Sequence, residues 1–353
     1  MTTEPEVLFE RHGEAGVILL NRPKALNALT LDMVRAIHPQ LIAWAQDRAV
    51  TRVIIKGAGD RAFCAGGDVR QLYDLGRAGR QDEALTFWRE EYLLNHYIGT
   101  YPKPYVSLID GVCMGGGFGL SAHGPYRVAG DRYLFAMPEV NIGLFPDVGG
   151  TYVLPRLRPG WGVYLALTGV RIKSADAFAA GLVTHVAPSA AFGDIERDLA
   201  GGGEVAQILA AHAVVPPVAP LEAQEALIAD VFTRSDLPAI LARLDAIATQ
   251  GGEQAEFAAR TAADMRGKSP TSLSLAMEQM RRGPVLDLAG CLVIEYRMVN
   301  RVAHGHDFYE GVRAQLVDRD NSPNWRPARL DDVDPAEIAA HFEPIAAELP
   351  LAR

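Results

Sequence analysis

The chain has 353 residues, of which 49% are hydrophobic and 22% charged, and its 34 Lys and Arg against 43 Asp and Glu give a net charge of −9. This composition excludes a disordered chain, a collagen and a disulfide scaffold. Twenty of the 34 glycines fall between Gly57 and Gly169. Because glycine lets the backbone adopt positive φ and approach a ligand closely, this cluster predicts a site built from backbone N–H groups.

The acidic balance comes without any basic stripe, so we expect no nucleic-acid partner. The three cysteines are odd in number and have no metal-ligand spacing, which argues against a secreted disulfide framework and a metal site. The start, Met1–Gly13, is acidic and has no signal-peptide core. No apolar run approaches the roughly 18 residues of a membrane span. We therefore expect a cytoplasmic protein without a membrane partner.

The first 200 residues alternate between strand and helix patterns, which is typical of a layered α/β core. The runs Val7–Glu10 and Val17–Leu20 predict a hairpin, and Thr30 predicts the N-cap of a helix toward Asp47 that Pro39 should kink or shorten. Further strands are expected at Val53–Ile55, Tyr105–Ile109, Val128, Leu134–Ala136 and Leu182–Val186, and further helices at Leu85–Ile98, Gly117–Ala122, Trp161–Leu167 and Ala175–Ala180.

The residue pattern of the chain changes after the glycine run Gly201–Gly203 and the prolines Pro216-Pro217. Apolar residues then recur at helical spacing in Leu221–Phe232, Pro238–Thr249, Gln254–Met265 and Ser272–Met280. The sequence thus predicts an α/β core over residues 1–200 that carries the site. It predicts a mainly helical region over residues 201–353 that completes or covers the site.

The first glycine-rich candidate is Gly57–Ala62, which follows a predicted strand and fits the dinucleotide fingerprint G-x-G-x-x-[GA]. That fingerprint needs a helix to begin within it. The next residues, Phe63–Asp68, do not obviously start one, so dinucleotide binding is the weaker interpretation.

The second candidate is Asp110–Gly119, where three consecutive glycines, Gly115-Gly116-Gly117, separate a predicted strand from a predicted helix. Such a junction exposes backbone N–H groups that can bind an anion or a developing oxyanion. The alternative is a tight turn that only allows close packing of helix on strand.

The third candidate is Met137–Gly150, an apolar segment that contains the carboxylates Glu139 and Asp147. Apolar surroundings raise the pKa of a carboxyl group and suit it to acid–base chemistry near neutral pH. The alternative gives Asp147 an N-cap role for a helix over Val148–Leu157 and places Glu139 on the surface.

Together with Arg22–Leu29, these segments resemble, in this order, the crotonase (enoyl-CoA hydratase/isomerase) superfamily. The resemblance implies an α/β fold, with a ClpP/crotonase-like core of repeated ββα units and a helical C-terminal region. Within the superfamily the chain is most similar to the 3-hydroxyisobutyryl-CoA hydrolase group, through the motifs Glu90-Glu91-Tyr92, Gly143–Gly150, Ser269–Leu273, Glu295-Tyr296-Arg297, Gly305–Ala314 and Ser322–Ala328.

The resemblance also implies roles for individual residues. The N–H groups of Gly67 and Gly116 would form an oxyanion hole for a CoA thioester. Glu91 matches a substrate-contacting position and would bond a substrate hydroxyl; its alternative is a solvated helix glutamate. The CoA would be lined by Lys24, Ala25, Leu26, Ala65, Gly66, Asp68 and Val69, with Lys24 near phosphate. Coenzyme A is then part of the acyl-CoA substrate, and no separate cofactor or metal is expected. The sequence leaves open whether the chain forms a homo-oligomer.

One departure from the superfamily pattern bears on the reaction. Its hydratases carry two glutamates, one matching Glu139 and one at the position that is Gly119 here. Asp147 stands where hydratases usually have glycine, which is the hydrolase pattern. Glu139 would attack the thioester carbonyl or activate a water, and Asp147 would orient the water or the substrate hydroxyl.

The expected reaction is hydrolysis of a short 3-hydroxyacyl-CoA, foremost 3-hydroxyisobutyryl-CoA, an intermediate of valine breakdown. Two alternatives stay open at this point. One is a hydratase or isomerase that uses Glu139 alone, and the other is a CoA-binding protein without turnover.

Overall fold

The computed structural model describes residues 4–351, so Met1–Thr3 of the acidic N-terminal segment lie outside the described residues. Contacts divide the chain into two units, each assembled from separate stretches. The first consists of Met1–Asp68, Glu90–Ala136 and Arg171–Pro220, and the second of Val69–Arg89, Met137–Val170 and Leu221–Arg353. The sequence predicts a single boundary near residue 200, and that boundary stays a prediction.

The strands found among residues 4–351 all belong to the first unit, where they form two sheets. They are β1 Val7–His12, β2 Ala15–Leu20, β3 Arg52–Gly57, β4 Ala62–Cys64, β5 Tyr105–Ile109, β6 Val112–Met114, β7 Tyr126–Ala129, β8 Leu134–Ala136, β9 Ile172–Lys173 and β10 His185–Val186. The six-stranded sheet has the order β1-β2-β3-β5-β7-β10, and the four-stranded sheet has the order β4-β6-β8-β9.

Three successive strand pairs, β3–β4, β5–β6 and β7–β8, repeat one arrangement. The first strand of each pair joins the six-stranded sheet in parallel, and the second joins the four-stranded sheet in parallel. The turn between β5 and β6 is tight: Gly111 has φ +78°, and a Cβ there would lie 2.4 Å from the carbonyl oxygen of Arg61. Helices follow the first two pairs, so these are the repeated ββα units that the resemblance to the crotonase superfamily implies.

The α-helices are α1 Leu31–Gln46, α2 Val69–Arg77, α3 Gln81–Gly99, α4 Gly116–Ser121, α5 Gly150–Val153, α6 Trp161–Thr168, α7 Ser174–Ala180, α8 Phe192–Ala200, α9 Val205–His212, α10 Glu225–Phe232, α11 Leu237–Ala248, α12 Glu253–Arg266, α13 Pro270–Arg282, α14 Leu288–Val302, α15 Asp307–Val312 and α16 Pro335–Ala340. The predicted helical C-terminal part is confirmed, because the chain from α10 onward contains no strand within the described residues. Helix α10 begins only at Glu225, because Pro220–Gln224 form a 3-10 turn.

The core of the first unit lies between the six-stranded sheet and helices α8 and α9. Sheet residues such as Ile54 and Val106 pack there against Ile195, Leu199 and Leu209. Full burial of one such side chain contributes about 1.5–3 kcal/mol. Apolar packing against α8 and α9 therefore stabilises the short strands of this sheet, in addition to the hydrogen bonds between the strands.

Helix α1 shows where packing overrides a local preference. Thr30 caps it as predicted, accepting a hydrogen bond of 3.2 Å from the Met33 amide. Pro39 does not shorten it, since the helix runs through Pro39 to Gln46. A buried stripe of Met33, Val34, Ile37, Leu41 and Trp44 offsets the backbone hydrogen bond that proline cannot donate.

Two further expectations are corrected. No helix begins within Gly57–Ala62, because β3 ends at Gly57 and β4 starts at Ala62, so the dinucleotide interpretation is wrong. The helix expected over Val148–Leu157 is only α5 followed by a 3-10 turn at Leu154–Arg156. Its N-cap is Gly149, so Asp147 is not the N-cap residue of this helix. Within residues 4–351, no helix combines the length and apolarity needed to cross a membrane.

Candidate active site

Gly67 lies at an isolated parallel bridge with Leu29 in the first unit. The Leu29 amide donates to the Gly66 carbonyl at 2.8 Å, and the Asp68 amide donates to the Leu29 carbonyl at 2.9 Å. These two bonds fix the backbone on both sides of Gly67 without using its own N–H. That N–H therefore stays out of the bridge and is suited to donate to a ligand.

Gly116 is the first residue of α4, so its N–H has no acceptor within the helix. A Cβ at this position would lie 3.2 Å from the Gly67 amide nitrogen and 2.7 Å from Glu91 Oε1. The structure thus brings Gly67, Gly116 and Glu91 together in the first unit. A side chain at position 116 would press against the Glu91 carboxylate and the Gly67 amide nitrogen.

Glu91 lies on α3 and is only 2% exposed. The alternative of a solvated helix glutamate is therefore wrong. A carboxylate with this little access to water needs polar neighbours, because burying a charge without them is costly. Its position beside the space over Gly116 places a strong hydrogen-bond acceptor next to the two backbone donors.

Asn27 holds the Arg22–Leu29 segment against the turn before β4, a role that sequence reasoning missed. It is fully buried, and its amide nitrogen donates to the carbonyls of Ala58 and Ala62, both at 2.9 Å. Its own φ is +54°, a left-handed conformation that asparagine tolerates better than most residues. The motif Arg22–Leu29 contains Asn27, but nothing in its residue spacing indicates the Ala58 and Ala62 carbonyls as partners.

The residues predicted to line the CoA mostly border solvent. Lys24 and Ala25 are exposed on a 3-10 turn, Leu26 and Ala65 are half-buried, and Gly66 is buried with φ +118°. Asp68 forms an ion pair with Arg22, N–O distance 3.2 Å, which offsets a negative charge that would repel phosphate. Val69 is half-buried and opens α2 of the second unit.

Glu139 belongs to the second unit, where it begins the 3-10 turn Glu139–Ile142, which Gly143 caps. It is 5% exposed, so the alternative of a surface glutamate is wrong. Its Oε2 has no hydrogen-bond partner among the described residues. An unpartnered buried carboxylate oxygen is costly and is typical of a group whose partner is a substrate or water.

Asp147, also 5% exposed, precedes a short strained stretch of backbone. Val148 has φ +51° and Gly149 has φ +87°. A β-branched residue in the left-handed region costs about 1–3 kcal/mol and persists only where its surroundings enforce it. Two polar side chains from the C-terminal helices bond the backbone on either side of Val148.

Glu295 on α14 is the first of these side chains and is fully buried. Its Oε2 accepts from the Gly149 amide at 2.8 Å, and its Oε1 accepts from the Thr151 amide at 2.9 Å. The second is Gln279 on α13, which donates to the Pro146 carbonyl at 2.9 Å and to Thr151 Oγ1 at 2.7 Å. Glu295 belongs to the sequence motif Glu295-Tyr296-Arg297, but nothing in that motif indicates these bonds.

The carboxylates of the second unit affect each other's protonation. Burial, and then the negative charges of Asp147 and Glu295, raise the pKa of Glu139 well above its ordinary value. Burial also raises the pKa of Glu295 to about 8, although its bonds to Thr151 and Gly149 act in the opposite direction. A carboxyl group with a raised pKa is suited to exchange protons near neutral pH.

The first unit holds two glycine N–H groups beside a buried glutamate, which suits stabilisation of a developing oxyanion. The second unit holds a buried carboxylate with an unpartnered oxygen, which suits acid–base or nucleophilic chemistry. Residues 15–342 match the family model described as enoyl-CoA hydratase/isomerase. The chain belongs to this family, and its α/β fold of repeated ββα units with a helical C-terminal region is the crotonase fold.

Individual relatives are similar over nearly the whole chain. The protein described as mitochondrial 3-hydroxyisobutyryl-CoA hydrolase of Danio rerio is 47% identical over 338 residues, covering 93% of this chain and 87% of that protein. The Homo sapiens protein of the same description is 44% identical, covering 96% and 88%. A solved structure described as a carnitinyl-CoA dehydratase from Mycobacterium thermoresistibile has a TM-score of 0.91 at 42% identity and covers 98% of both chains. One described as an enoyl-CoA hydratase from Rhodobacter sphaeroides 2.4.1 has a TM-score of 0.91 at 38% identity, covering 98% and 100%.

Proposed function

We propose that this chain is an acyl-CoA thioester hydrolase that converts 3-hydroxyisobutyryl-CoA and water to 3-hydroxyisobutyrate and CoA. The observation that carries the reaction class is the buried Glu139 carboxylate with its unpartnered oxygen. Its charge interaction with Asp147 and the absence of a second glutamate at Gly119 support the same conclusion. Curated relatives at 44–47% identity with the hydrolase description support the substrate. Formation of this product would place the reaction in valine breakdown.

In the proposed mechanism, the N–H groups of Gly67 and Gly116 donate to the thioester oxygen. That oxygen gains negative charge when the carbonyl carbon is attacked, so the bonds strengthen toward the transition state. One such donor is worth roughly 2.7–4 kcal/mol in comparable sites. Neither donor needs a side chain, which explains why glycine is suitable at both positions.

Glu139 supplies the attack in one of two ways. It adds to the carbonyl carbon, expels the CoA thiolate and leaves a mixed anhydride that water then hydrolyses; or it removes a proton from a water that attacks directly. Either route consumes one water and releases one CoA. In this proposal Asp147 orients the water or the substrate hydroxyl, and Glu91 accepts a hydrogen bond from that hydroxyl.

The remaining assignments concern CoA binding and context. We assign contacts with the CoA to Lys24, Ala25, Leu26, Ala65, Gly66, Asp68 and Val69. The exposed position of Lys24 and the ion pair of Asp68 with Arg22 support this assignment.

The proposal requires no cofactor besides the CoA of the substrate itself. Whether the protein forms a homo-oligomer is to be tested by light scattering. We also propose a cytoplasmic location. The relatives from Danio rerio and Homo sapiens are described as mitochondrial, so cell fractionation is the experiment that tests this proposal.

A second candidate function is hydration or isomerisation by Glu139 alone, and the two solved structures described as a dehydratase and a hydratase favour it. A panel of short acyl-CoAs, read for both thiol release and enoyl absorbance, separates the two. We expect thiol release from 3-hydroxyisobutyryl-CoA, with 3-hydroxypropionyl-CoA as a second substrate. Loss of enoyl absorbance from crotonyl-CoA without thiol release would instead establish the hydratase, and CoA binding without either signal would indicate a non-catalytic protein.

A further inference from the structure

The stretch Pro146–Gly149 lies outside regular secondary structure and leads into α5, and buried side chains bond the backbone of Pro146–Thr151. Its two ends are tied to separate helices, Gln279 of α13 bonding the Pro146 carbonyl and Glu295 of α14 bonding the Gly149 and Thr151 amides. Between these ties lie Asp147 and the left-handed Val148.

Hydrogen bonds join the three side chains Glu295, Thr151 and Gln279. Gln279 donates to Thr151 Oγ1 at 2.7 Å, so the Thr151 hydroxyl has its own proton available for the Glu295 carboxylate. Glu295 therefore receives two backbone N–H bonds and a hydroxyl bond. Glu295, Thr151 and Gln279 are all buried in the same unit as Glu139 and Asp147.

We propose that Glu295 is a positioning residue: by bonding the Gly149 and Thr151 amides, it enforces the backbone turn at Val148 and so fixes where Asp147 stands relative to Glu139. Gln279 and Thr151 complete this device. The inference deepens the proposed hydrolase and rests on it for its kinetic consequence, but the bonding itself is independent of any substrate. The simpler alternative is that Glu295 only caps the short helix α5.

The test uses near-isosteric variants of the full chain. Glu295→Gln replaces one acceptor oxygen by an NH₂ group that faces a backbone N–H, and Thr151→Val removes the hydroxyl while Thr151→Ser keeps it. We expect Glu295→Gln to lower kcat for 3-hydroxyisobutyryl-CoA at least tenfold with KM changed less than threefold. Thr151→Val should lower kcat in the same way, and Thr151→Ser should restore most of it.

Lys103→Met is the matched stability control. Lys103 donates to the carbonyls of Trp44, Asp47 and Val50, and it lies in a segment without predicted site residues. It should lower the melting temperature and leave kcat per folded molecule unchanged. If Glu295→Gln behaves like this control, Glu295 is only a capping residue and the proposal is overturned.

Amide hydrogen exchange provides the readout that does not depend on activity. Glu295→Gln should speed exchange across residues 147–151 at least tenfold, while exchange in β3 and β5 stays as in the wild type. Unchanged exchange across this segment would overturn the proposal even if kcat falls. If the wild type releases no thiol but the exchange changes as expected, the hydrolase assignment fails while the positioning role of Glu295 stands.

Discussion

Glu91 Oε1 lies 2.7 Å from the position that a Cβ would occupy on Gly116. The same position is 3.2 Å from the Gly67 amide nitrogen. One methyl group at residue 116 would therefore press against a buried carboxylate and against one of the two proposed oxyanion donors.

Gly116→Ala should for this reason impair catalysis far more than stability. Loss of one effective oxyanion donor lowers kcat by roughly 10²- to 10³-fold in comparable sites. The control is Gly193→Ala, at a helical position where a Cβ would meet nothing within 4 Å; it should keep full activity and gain about 0.4–1 kcal/mol of stability. Equal activity of the two variants in a thiol-release assay would remove Gly116 from the oxyanion hole.

Glu139→Gln should reduce kcat by about 10²- to 10⁴-fold, the range expected for loss of an acid–base group. The amide keeps the shape of the side chain but cannot attack a carbonyl or remove a proton. Glu343→Gln, at an exposed position, is the matched control and should be fully active. Wild-type turnover by Glu139→Gln would show that the proposed mechanism is wrong.

Glu139→Gln should also change how stability depends on pH. The folded-state pKa of Glu139 is raised above its ordinary value of 4.5, so its favourable contribution is complete below that value and is lost as pH rises through the folded pKa. Glutamine does not titrate and avoids this loss. The melting temperature of the variant should therefore rise relative to the wild type between pH 4.5 and pH 9; a constant difference would contradict the shift.

Asp147→Asn should lower kcat at least tenfold if Asp147 orients a reacting group. The negative charge of Asp147 is one of the causes that raise the pKa of Glu139, so removing it lowers that pKa. If Glu139 acts in its ionised form, the acidic limb of the residual kcat/KM profile should move to lower pH. An unmoved limb would mean that the observed ionisation belongs to another group.

Glu91→Gln should weaken selection for the substrate hydroxyl. We expect the wild type to prefer 3-hydroxyisobutyryl-CoA over isobutyryl-CoA in kcat/KM, because only the former has a hydroxyl to donate to Glu91, and a hydrogen bond to a charged group is worth about 1.5–3 kcal/mol. The variant should reduce this preference roughly tenfold. The neighbouring Glu90→Gln, which loses only an ion pair with Arg35, should leave the ratio unchanged.

The sequence predicted the elements whose signals are local. Thr30 as an N-cap, the hairpin around Gly13 and the strand at Tyr105–Ile109 each depend on short-range preferences that the structure confirms. The family and the ββα core were also readable, because several long motifs stand in register. Pro39 does not shorten α1, since the buried face of the helix outweighs one missing hydrogen bond.

By itself, then, the sequence determined the fold class, the family and the residue types available for chemistry, including the missing carboxylate at Gly119. Only the tertiary structure decided that Glu91 and Glu139 are buried, and that Glu295 and Gln279 hold the segment carrying Asp147. The physical reason is sequence distance. Gly149 and Glu295 are 146 positions apart, and no local preference can specify a bond whose energy depends on how distant helices pack.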